Sequence, residues 1–180
     1  MQCSALHSTK RNRMSYDYNG LTGIAYGNGA FVAVNDNTST SATSTDNGVT
    51  WTQHDMPNGL WYSIAHGNGA FVTVSYNINV NISATSTDNG VTWTQHSMPN
   101  GNWCGIAYGD GAFVAVDSSY NTSATSTDNG VTWTQHSMPR GYWYGIAYGN
   151  GAFVAVNPSS NTSATSTDNG TTWTQHSMPA

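Results

Sequence analysis

The octapeptide STDNGVTW, residues 44–51, recurs through the chain, and this repetition restricts the fold more than any other feature. It returns unchanged at 86–93 and 126–133, and with Thr for Val at 166–173. When Ile24, Ile64, Ile106 and Ile146 are aligned, the repeated units of about 40 residues are 18–57, 58–99, 100–139 and 140–179. A period of this length is typical of stacked arrays such as solenoids and propellers.

Each unit contains four short strand-like runs separated by turn residues. In the fourth unit the predicted strands cover 143–148, 152–156, 162–167 and 171–176. Gly149-Asn150-Gly151 joins the first pair and Asp168-Asn169-Gly170 joins the second pair. Both connections predict tight hairpins, because Asn and Gly accept the positive φ that such turns require. We expect no helix.

The second strand of the unit is apolar on both sides. In AFVAV of the fourth unit, Phe153 and Ala155 point one way, and Val154 and Val156 point the other way. A two-layer sandwich leaves one side polar, whereas a ring of stacked sheets covers both. The sequence therefore predicts an all-β fold, a β-propeller of four-stranded antiparallel blades over 18–180, with one blade per repeat. Residues 1–17 are expected to be a poorly ordered or appended leader.

Composition excludes several classes of partner. Charged residues are 7% of the chain, against about 25% in an ordinary domain, and the net charge is −5. Outside Lys10, Arg11 and Arg13 the only cation is Arg140, which argues against nucleic acid. No apolar run approaches the roughly 20 residues of a membrane span, and the leader lacks the apolar stretch of a secretory signal. These features predict no membrane insertion and leave the compartment open, with a virion or surface location among the options.

Cysteine usage predicts no disulfide framework. Cys3 lies in the leader, and Cys104 occupies a position at which the second and fourth units have Tyr. Because no other repeat supplies a partner, two free thiols are expected. We expect no cofactor.

The repeated octapeptide fits Ser-x-Asp-x-Gly-x-Thr-Trp and closely resembles the Asp box, also called the bacterial neuraminidase repeat. The resemblance implies that the aspartates accept backbone N–H bonds, that the glycines adopt the left-handed conformation, and that the tryptophans pack between blades. The residues concerned are Asp46, Gly48, Trp51, Asp88, Gly90, Trp93, Asp128, Gly130, Trp133, Asp168, Gly170 and Trp173. One carboxylate per blade at the rim cannot share an ion, so no metal site is expected.

Proteins with this repeat include sialidases, xyloglucan-cleaving glycosidases, sortilin-type receptors and photosystem assembly factors, so the fold does not fix the function. The sialidase set of three arginines and a tyrosine–glutamate pair is missing, since the chain has no Glu and its repeats contain only Arg140. A glycosidase needs two facing carboxylates, and Asp36 and Asp117 are the candidates, because both follow the second strand of their unit. Solvated loop residues are the alternative interpretation of this pair.

Differences between the units concentrate in two connections, the loop between the second and third strands and the connector to the next unit. In an up-and-down blade both lie at one end of the strands, which is a usual position for ligand-binding loops. The candidate ligand-binding residues there are Tyr62, Tyr76, Tyr120, Arg140, Tyr142 and Tyr144. Aromatic faces among amide and hydroxyl groups suit sugar recognition, although tolerated sequence drift gives the same pattern.

These observations favour a non-catalytic binding or structural propeller that contacts a glycan, of the type found on phage tails or cell surfaces. The alternatives are an Asp-box glycosidase and a scaffold for a protein partner. Four blades is a low count, so the chain either closes alone, pairs with a second copy or belongs to a longer array. Near-identical units make open ends self-complementary, which predicts self-association to close the ring.

Overall fold

The computed structural model describes residues 20–77 and 79–179, and within them it contains strands and no helix. The sixteen strands form four sheets, each of four consecutive strands in sequence order. The predicted all-β propeller with one four-stranded blade per repeat is confirmed. The leader, residues 1–17 with Cys3, lies outside the described residues.

The strands have similar lengths in every blade. Blade 1 comprises β1 (Leu21–Gly27), β2 (Ala30–Asn35), β3 (Thr40–Ser44) and β4 (Thr52–Asp55). Blade 2 comprises β5 (Trp61–Gly67), β6 (Ala70–Ser75), β7 (Ile82–Ser86) and β8 (Thr94–Ser97). Blade 3 comprises β9 (Trp103–Gly109), β10 (Ala112–Asp117), β11 (Thr122–Ser126) and β12 (Thr134–Ser137). Blade 4 comprises β13 (Gly145–Gly149), β14 (Ala152–Asn157), β15 (Thr162–Ser166) and β16 (Thr174–Ser177).

The first strand of each blade is the innermost, because β1, β5, β9 and β13 pack side by side in that order. The fourth strands lie at the perimeter, where most of their residues are exposed. Each strand pairs antiparallel with the next, as in Tyr148 opposite Phe153. This up-and-down order places all variable connections at one end of the strands, here called the loop edge, and all hairpin turns at the other, the turn edge.

The turn between the third and fourth strands is held by its own side chains. In blade 3, Asn129 and Gly130 both have positive φ, 60° and 80°, as a tight hairpin requires. The Asp128 carboxylate accepts hydrogen bonds from the Thr132 backbone N–H at 2.9 Å and from the hydroxyl groups of Thr132 and Ser126 at 2.6 and 2.8 Å. The corresponding turns have matching bonds around Asp46, Asp88 and Asp168.

Two sequence-based strand limits in blade 4 were wrong, and the turn explains the first of them. The fourth strand of blade 4 begins at Thr174, three residues later than predicted, because the backbone N–H of Thr172 is bonded to Asp168 inside the turn. The first strand of this blade begins at Gly145 and not at Trp143.

A second set of tryptophans fills the core near the loop edge. Trp61, Trp103 and Trp143 are completely buried. Each indole N–H donates to the carbonyl oxygen four residues earlier, at Pro57, Pro99 or Pro139, over 2.9–3.0 Å. Burying an indole is stabilising only when its N–H has an acceptor, which the preceding connector supplies here.

Successive blades contact one another through three repeated features. The ring of His66, Tyr108 or Tyr148 lies over Gly27, Gly67 or Gly109 of the preceding blade, so closely that an added Cβ would collide with the ring. At the turn, Trp133 Nε1 donates to Ser83 Oγ of the preceding blade at 3.0 Å, and that hydroxyl donates to the Gly130 carbonyl at 2.9 Å. Gly130 itself sits against Val72, which is fully buried.

Blades 1 and 4, at the two ends of the array, each leave one side uncovered. Val154 and Val156 of blade 4 are 38% and 37% exposed, whereas Val114 and Val116 of blade 3 are fully buried. The expectation that both sides of AFVAV are covered therefore holds for the inner blades and is wrong for blade 4, because no blade follows it within the described residues. None of the described residues forms a helix long and apolar enough to cross a membrane.

Candidate functional site

The loop edge is built from two segments of each blade that are hydrogen-bonded together. The loop between the second and third strands meets the connector to the next blade through Asn81 Oδ1, which accepts from Gly101 N at 3.0 Å, and through Asn121 Oδ1, which accepts from Gly141 N at 2.7 Å. Ser39 makes the corresponding contacts with Gly59 in blade 1. These repeated bonds fix the backbone of the edge, so side chains that vary between blades project from a constant frame.

Three tyrosines from two blades converge on this edge. The rings of Tyr62 and Tyr76 in blade 2 lie 5.1 Å apart between centroids, tilted by 35°. The Tyr144 hydroxyl of blade 4 lies near the side chains of Tyr76 in blade 2 and of Ser118 in blade 3, close enough for both to affect its pKa. All three tyrosines are half-buried. We call Tyr62, Tyr76, Cys104, Ser118 and Tyr144 the tyrosine cluster.

Cys104 is the member of the cluster from β9 of blade 3. It occupies the position of Tyr62 and Tyr144 in the neighbouring blades, is shorter than either tyrosine, and lies near Tyr144, as Tyr76 does. The thiol is buried and lies 3.0 Å from the carbonyl oxygen of Trp143, to which it donates. Comparison of the units already showed Cys104 at a position where two units have Tyr and the first has Thr22, but it did not assign Cys104 to a site, and nothing in the sequence indicated Ser118.

The environment of the Tyr144 phenol favours hydrogen bonding over nucleophilic attack. Burial, with smaller effects from Tyr76 and Cys104, raises the pKa of Tyr144 to about 12. The hydroxyl group therefore stays protonated near neutral pH and can donate to an acceptor. A phenolate of the kind that attacks a sugar carbon is disfavoured at this position.

The remaining predicted ligand residues lie on the same edge with exposed side chains. Tyr120, in the loop after β10, is 48% exposed, and Tyr142, in the connector before β13, is 56% exposed. Arg140 is also exposed. The tyrosine cluster thus has open aromatic neighbours in blades 3 and 4, and the edge carries a single positive charge within the described residues.

The two carboxylates considered for catalysis differ sharply in environment. Asp117 is fully buried, and its carboxylate accepts backbone N–H bonds from Asn102, Ser119 and Tyr120. Burial raises the pKa of Asp117 despite these bonds. Asn35 and Asn157 occupy the same position in blades 1 and 4 and bond their loops in the same way, so this carboxylate shapes a loop.

Asp36 follows that position by one residue in blade 1 and is half-buried. Burial raises the pKa of Asp36, and blade 2 lies between it and Asp117. A glycosidase needs both carboxylates open to one sugar ring. The buried position of Asp117 disfavours that role for the pair.

The aspartates of the repeated octapeptide lie at the turn edge and are occupied by the turn bonds described above. Side-chain and backbone bonds from Thr50 lower the pKa of Asp46 to about 2, and those from Thr172 lower the pKa of Asp168 to about 2. Trp93, Trp133 and Trp173 pack against the preceding blade, while Trp51 is 40% exposed. Among residues 20–77 and 79–179, no group of three or more His, Cys, Asp or Glu side chains could hold a metal ion.

Blade 1 also carries two open grooves. One, of about 610 Å³, runs between β4 and the turn of blade 2 and is lined by His54, Met56 and Trp93 among other residues. The other, of about 370 Å³, lies at the exposed side of blade 1 near Leu21 and Asn35. The larger groove does contain two titratable side chains, His54 and Asp55, but they are adjacent residues of the single strand β4. The tyrosine cluster combines side chains from several blades and is therefore the better candidate site.

Solved structures of known proteins share this fold. A streptogramin B lyase superposes with a TM-score of 0.77 at 16% identity over 92% of this chain and 57% of that chain. YCF48 from Cyanidioschyzon merolae gives 0.68 at 14% identity over 89% and 56%, and YCF48 bound to D1 peptide gives 0.63 at 17% over 92% and 55%. No family model and no curated protein matches the sequence.

The present chain thus spans less than three fifths of each of these proteins. At such low identity the likeness establishes the propeller fold and nothing of the activity.

Proposed function

We propose that the chain is a non-catalytic binding propeller that takes its ligand at the loop edge. The observation that carries this proposal is the tyrosine cluster, in which side chains from three blades meet at one place. Structural repetition alone would put the same residue in every blade. Here the blades contribute different residues to one shared surface, as a binding surface requires.

The ligand class that fits this surface is a neutral glycan. Half-buried tyrosine rings offer flat apolar faces, and their hydroxyl groups, with the nearby Asn and Ser side chains, offer hydrogen bonds. The exposed rings of Tyr120 and Tyr142 extend the same chemistry outward. A single exposed arginine does not favour a strongly anionic ligand, so glycans of a cell or virion surface are the probes of choice.

A protein-partner scaffold is the second candidate, because one structure with this fold holds a peptide. A peptide would use the same exposed tyrosines, which are common in protein interfaces. The two candidates differ in the probe that binds and not in the surface that binds it.

The test is isothermal titration calorimetry of the chain with a panel of neutral oligosaccharides and, separately, with a library of unrelated peptides. We expect an oligosaccharide to bind, and Tyr120→Ser with Tyr142→Ser to weaken binding by at least about tenfold. Val131→Ser is the matched control, since Val131 is 46% exposed at the turn edge.

Each result of this test has a clear meaning. Peptide binding without oligosaccharide binding would replace the glycan by a protein partner. If Val131→Ser weakens binding as much as the tyrosine variant does, the loop edge is not the binding site. Release of reducing sugar during the titration would contradict the non-catalytic role.

A further inference from the structure

Blade 1 and blade 4 expose surfaces that are covered in the other blades. We call the outer side of blade 1, with Ile24, Tyr26 and Trp51, the leading face. Ile24 and Tyr26 are both 60% exposed, whereas Ile64 and Ile106, at the position of Ile24 in blades 2 and 3, are 7% and 6% exposed. Such an apolar surface is typical of an interaction site.

The outer side of blade 4, with Gly149, Val154, Val156 and Ser163, is here called the trailing face. A Cβ added at Gly149 would have no heavy atom within 4 Å, whereas at Gly109 of the preceding blade it would collide with the ring of Tyr148. The space over Gly149 is therefore open to an aromatic ring from another blade. Val154 shows the same loss of cover, since the equivalent Val114 is fully buried.

We propose that the leading face of one chain docks on the trailing face of a second copy, and that two copies close one eight-bladed ring. The three internal interfaces supply the template. In each, an aromatic ring of the following blade covers a glycine of the preceding one. Applied across two chains, the same contact puts Tyr26 of one copy over Gly149 of the other.

The hydrogen bonds of the internal interfaces have matching groups at the ends as well. Trp173 Nε1 donates to Ser123 Oγ at 3.0 Å, and Ser123 Oγ donates to the Gly170 carbonyl at 2.9 Å. The counterparts at the two ends of the array are the indole N–H of Trp51 with the carbonyl of Gly48 on the leading face, and the hydroxyl of Ser163 on the trailing face. One chain therefore carries both halves of the contact.

The size of the ring follows from the direction of the contact together with the usual number of blades in a propeller. Because the leading and trailing faces are different surfaces, the interface is head-to-tail, and such interfaces form closed rings or open filaments. Propellers typically contain about four to eight blades, so two chains of four blades reach the upper limit and a third would exceed it. A two-copy ring uses both faces of each chain and leaves neither apolar surface exposed.

The experiment is light scattering of the wild-type chain and of two face variants over a wide range of concentration. We expect the wild type to have about twice the 19.2 kDa mass of one chain. Gly149→Val fills the space over Gly149 on the trailing face, and Tyr26→Asp places a charge on the leading face. Each variant should be a monomer. Gly20→Val is the matched control, because a Cβ there also has no heavy atom within 4 Å, and it should keep the wild-type mass.

Mixing the two face variants distinguishes the head-to-tail contact from a loss of folding in either variant. The Gly149→Val chain keeps an intact leading face, and the Tyr26→Asp chain keeps an intact trailing face, so an equimolar mixture should form a two-chain complex although neither variant self-associates. This result also shows that both variants are folded.

Three results would overturn the proposal. A monomeric wild type at every concentration would exclude association. A Gly149→Val chain that keeps the wild-type mass would place the contact elsewhere. Masses above two chains would replace the closed ring by a filament. None of these outcomes depends on the ligand proposed for the loop edge.

Discussion

The Ser83 hydroxyl provides a direct measure of how strongly neighbouring blades hold together. It is fully buried between blades 2 and 3, donates to the Gly130 carbonyl at 2.9 Å and accepts from Trp133 Nε1 at 3.0 Å. Ser83→Ala removes both bonds with little change in volume. The substitution therefore tests the inter-blade hydrogen bonds separately from the packing around them.

The loss of stability in Ser83→Ala depends on which hydrogen bonds its two partners keep. Trp133 Nε1 also lies 3.0 Å from the Gly130 oxygen, so neither partner loses its last hydrogen bond when the hydroxyl is removed. The loss is then the net value of about two hydrogen bonds without the larger penalty of an orphaned group. We expect the free energy of unfolding to fall by about 1–2 kcal/mol. In urea this corresponds to a lower midpoint by about 0.5–1 M.

The assay is urea unfolding followed by tryptophan fluorescence, with Ser163→Ala as the internal control. Ser163 occupies the same position in blade 4, where no blade follows within the described residues and the side chain is half-exposed. Both substitutions are compared in the Gly149→Val background, which keeps the trailing face free whether or not the wild type associates. Ser163→Ala should then change stability by less than about 0.5 kcal/mol. Equal losses at the two positions, or none at Ser83, would refute the reasoning.

Two further predictions concern pH. Burial lowers the pKa of His66, which packs over Gly27, so the folded chain favours the neutral ring and the free energy of unfolding should fall as the pH drops below the unfolded pKa of about 6.5. In urea unfolding at several pH values, His66→Tyr should remove this part of the pH dependence. An unchanged pH dependence in His66→Tyr would show that His66 is not its source. For Asp128, burial, which raises the pKa, is outweighed by bonds from Thr132 and Ser126, so the pKa is lowered. Its contribution is present above the unfolded pKa and is lost as the pH falls through the folded pKa. Because Asp128 is exposed and its charge is screened by solvent, Asp128→Asn should cost only about 0.5–1 kcal/mol at neutral pH and less in acid, and a pH-independent cost would contradict this role of the carboxylate.

The propeller could be predicted from the sequence because its determinants are local and repeated. Turn residues such as Asn150 and Gly151 fix each hairpin, and the strand AFVAV requires cover on both sides. Neither signal depends on distant contacts. The strand limits were less predictable, since whether Thr171 and Thr172 join the strand or the turn depends on the bonds of the Asp168 carboxylate.

The candidate site could be predicted only in outline. The order of strands places Tyr62, Tyr76 and Tyr144 on one edge, and the sequence alone indicated as much. That Tyr144 approaches Tyr76 from two blades away, with the buried Cys104 also nearby, depends on how side chains pack in three dimensions, which the strand order does not reveal. The sequence offered Asp117 as a catalytic candidate or, alternatively, as a solvated loop residue, whereas the structure buries it among backbone N–H groups that bond its carboxylate.

The end faces show what sequence repetition hides. Because Tyr26 and Tyr108 have the same neighbours in sequence, no local pattern distinguishes a ring that covers a glycine from one that is exposed; only the number of blades on either side does. The residue types that pack adjacent blades inside the array therefore recur in blades 1 and 4, where no described blade covers them. In the two-copy ring that we propose, a chain of near-identical blades would associate without any residue specific to association, and substituting a single glycine, Gly149, would distinguish that interface from the ones inside the chain.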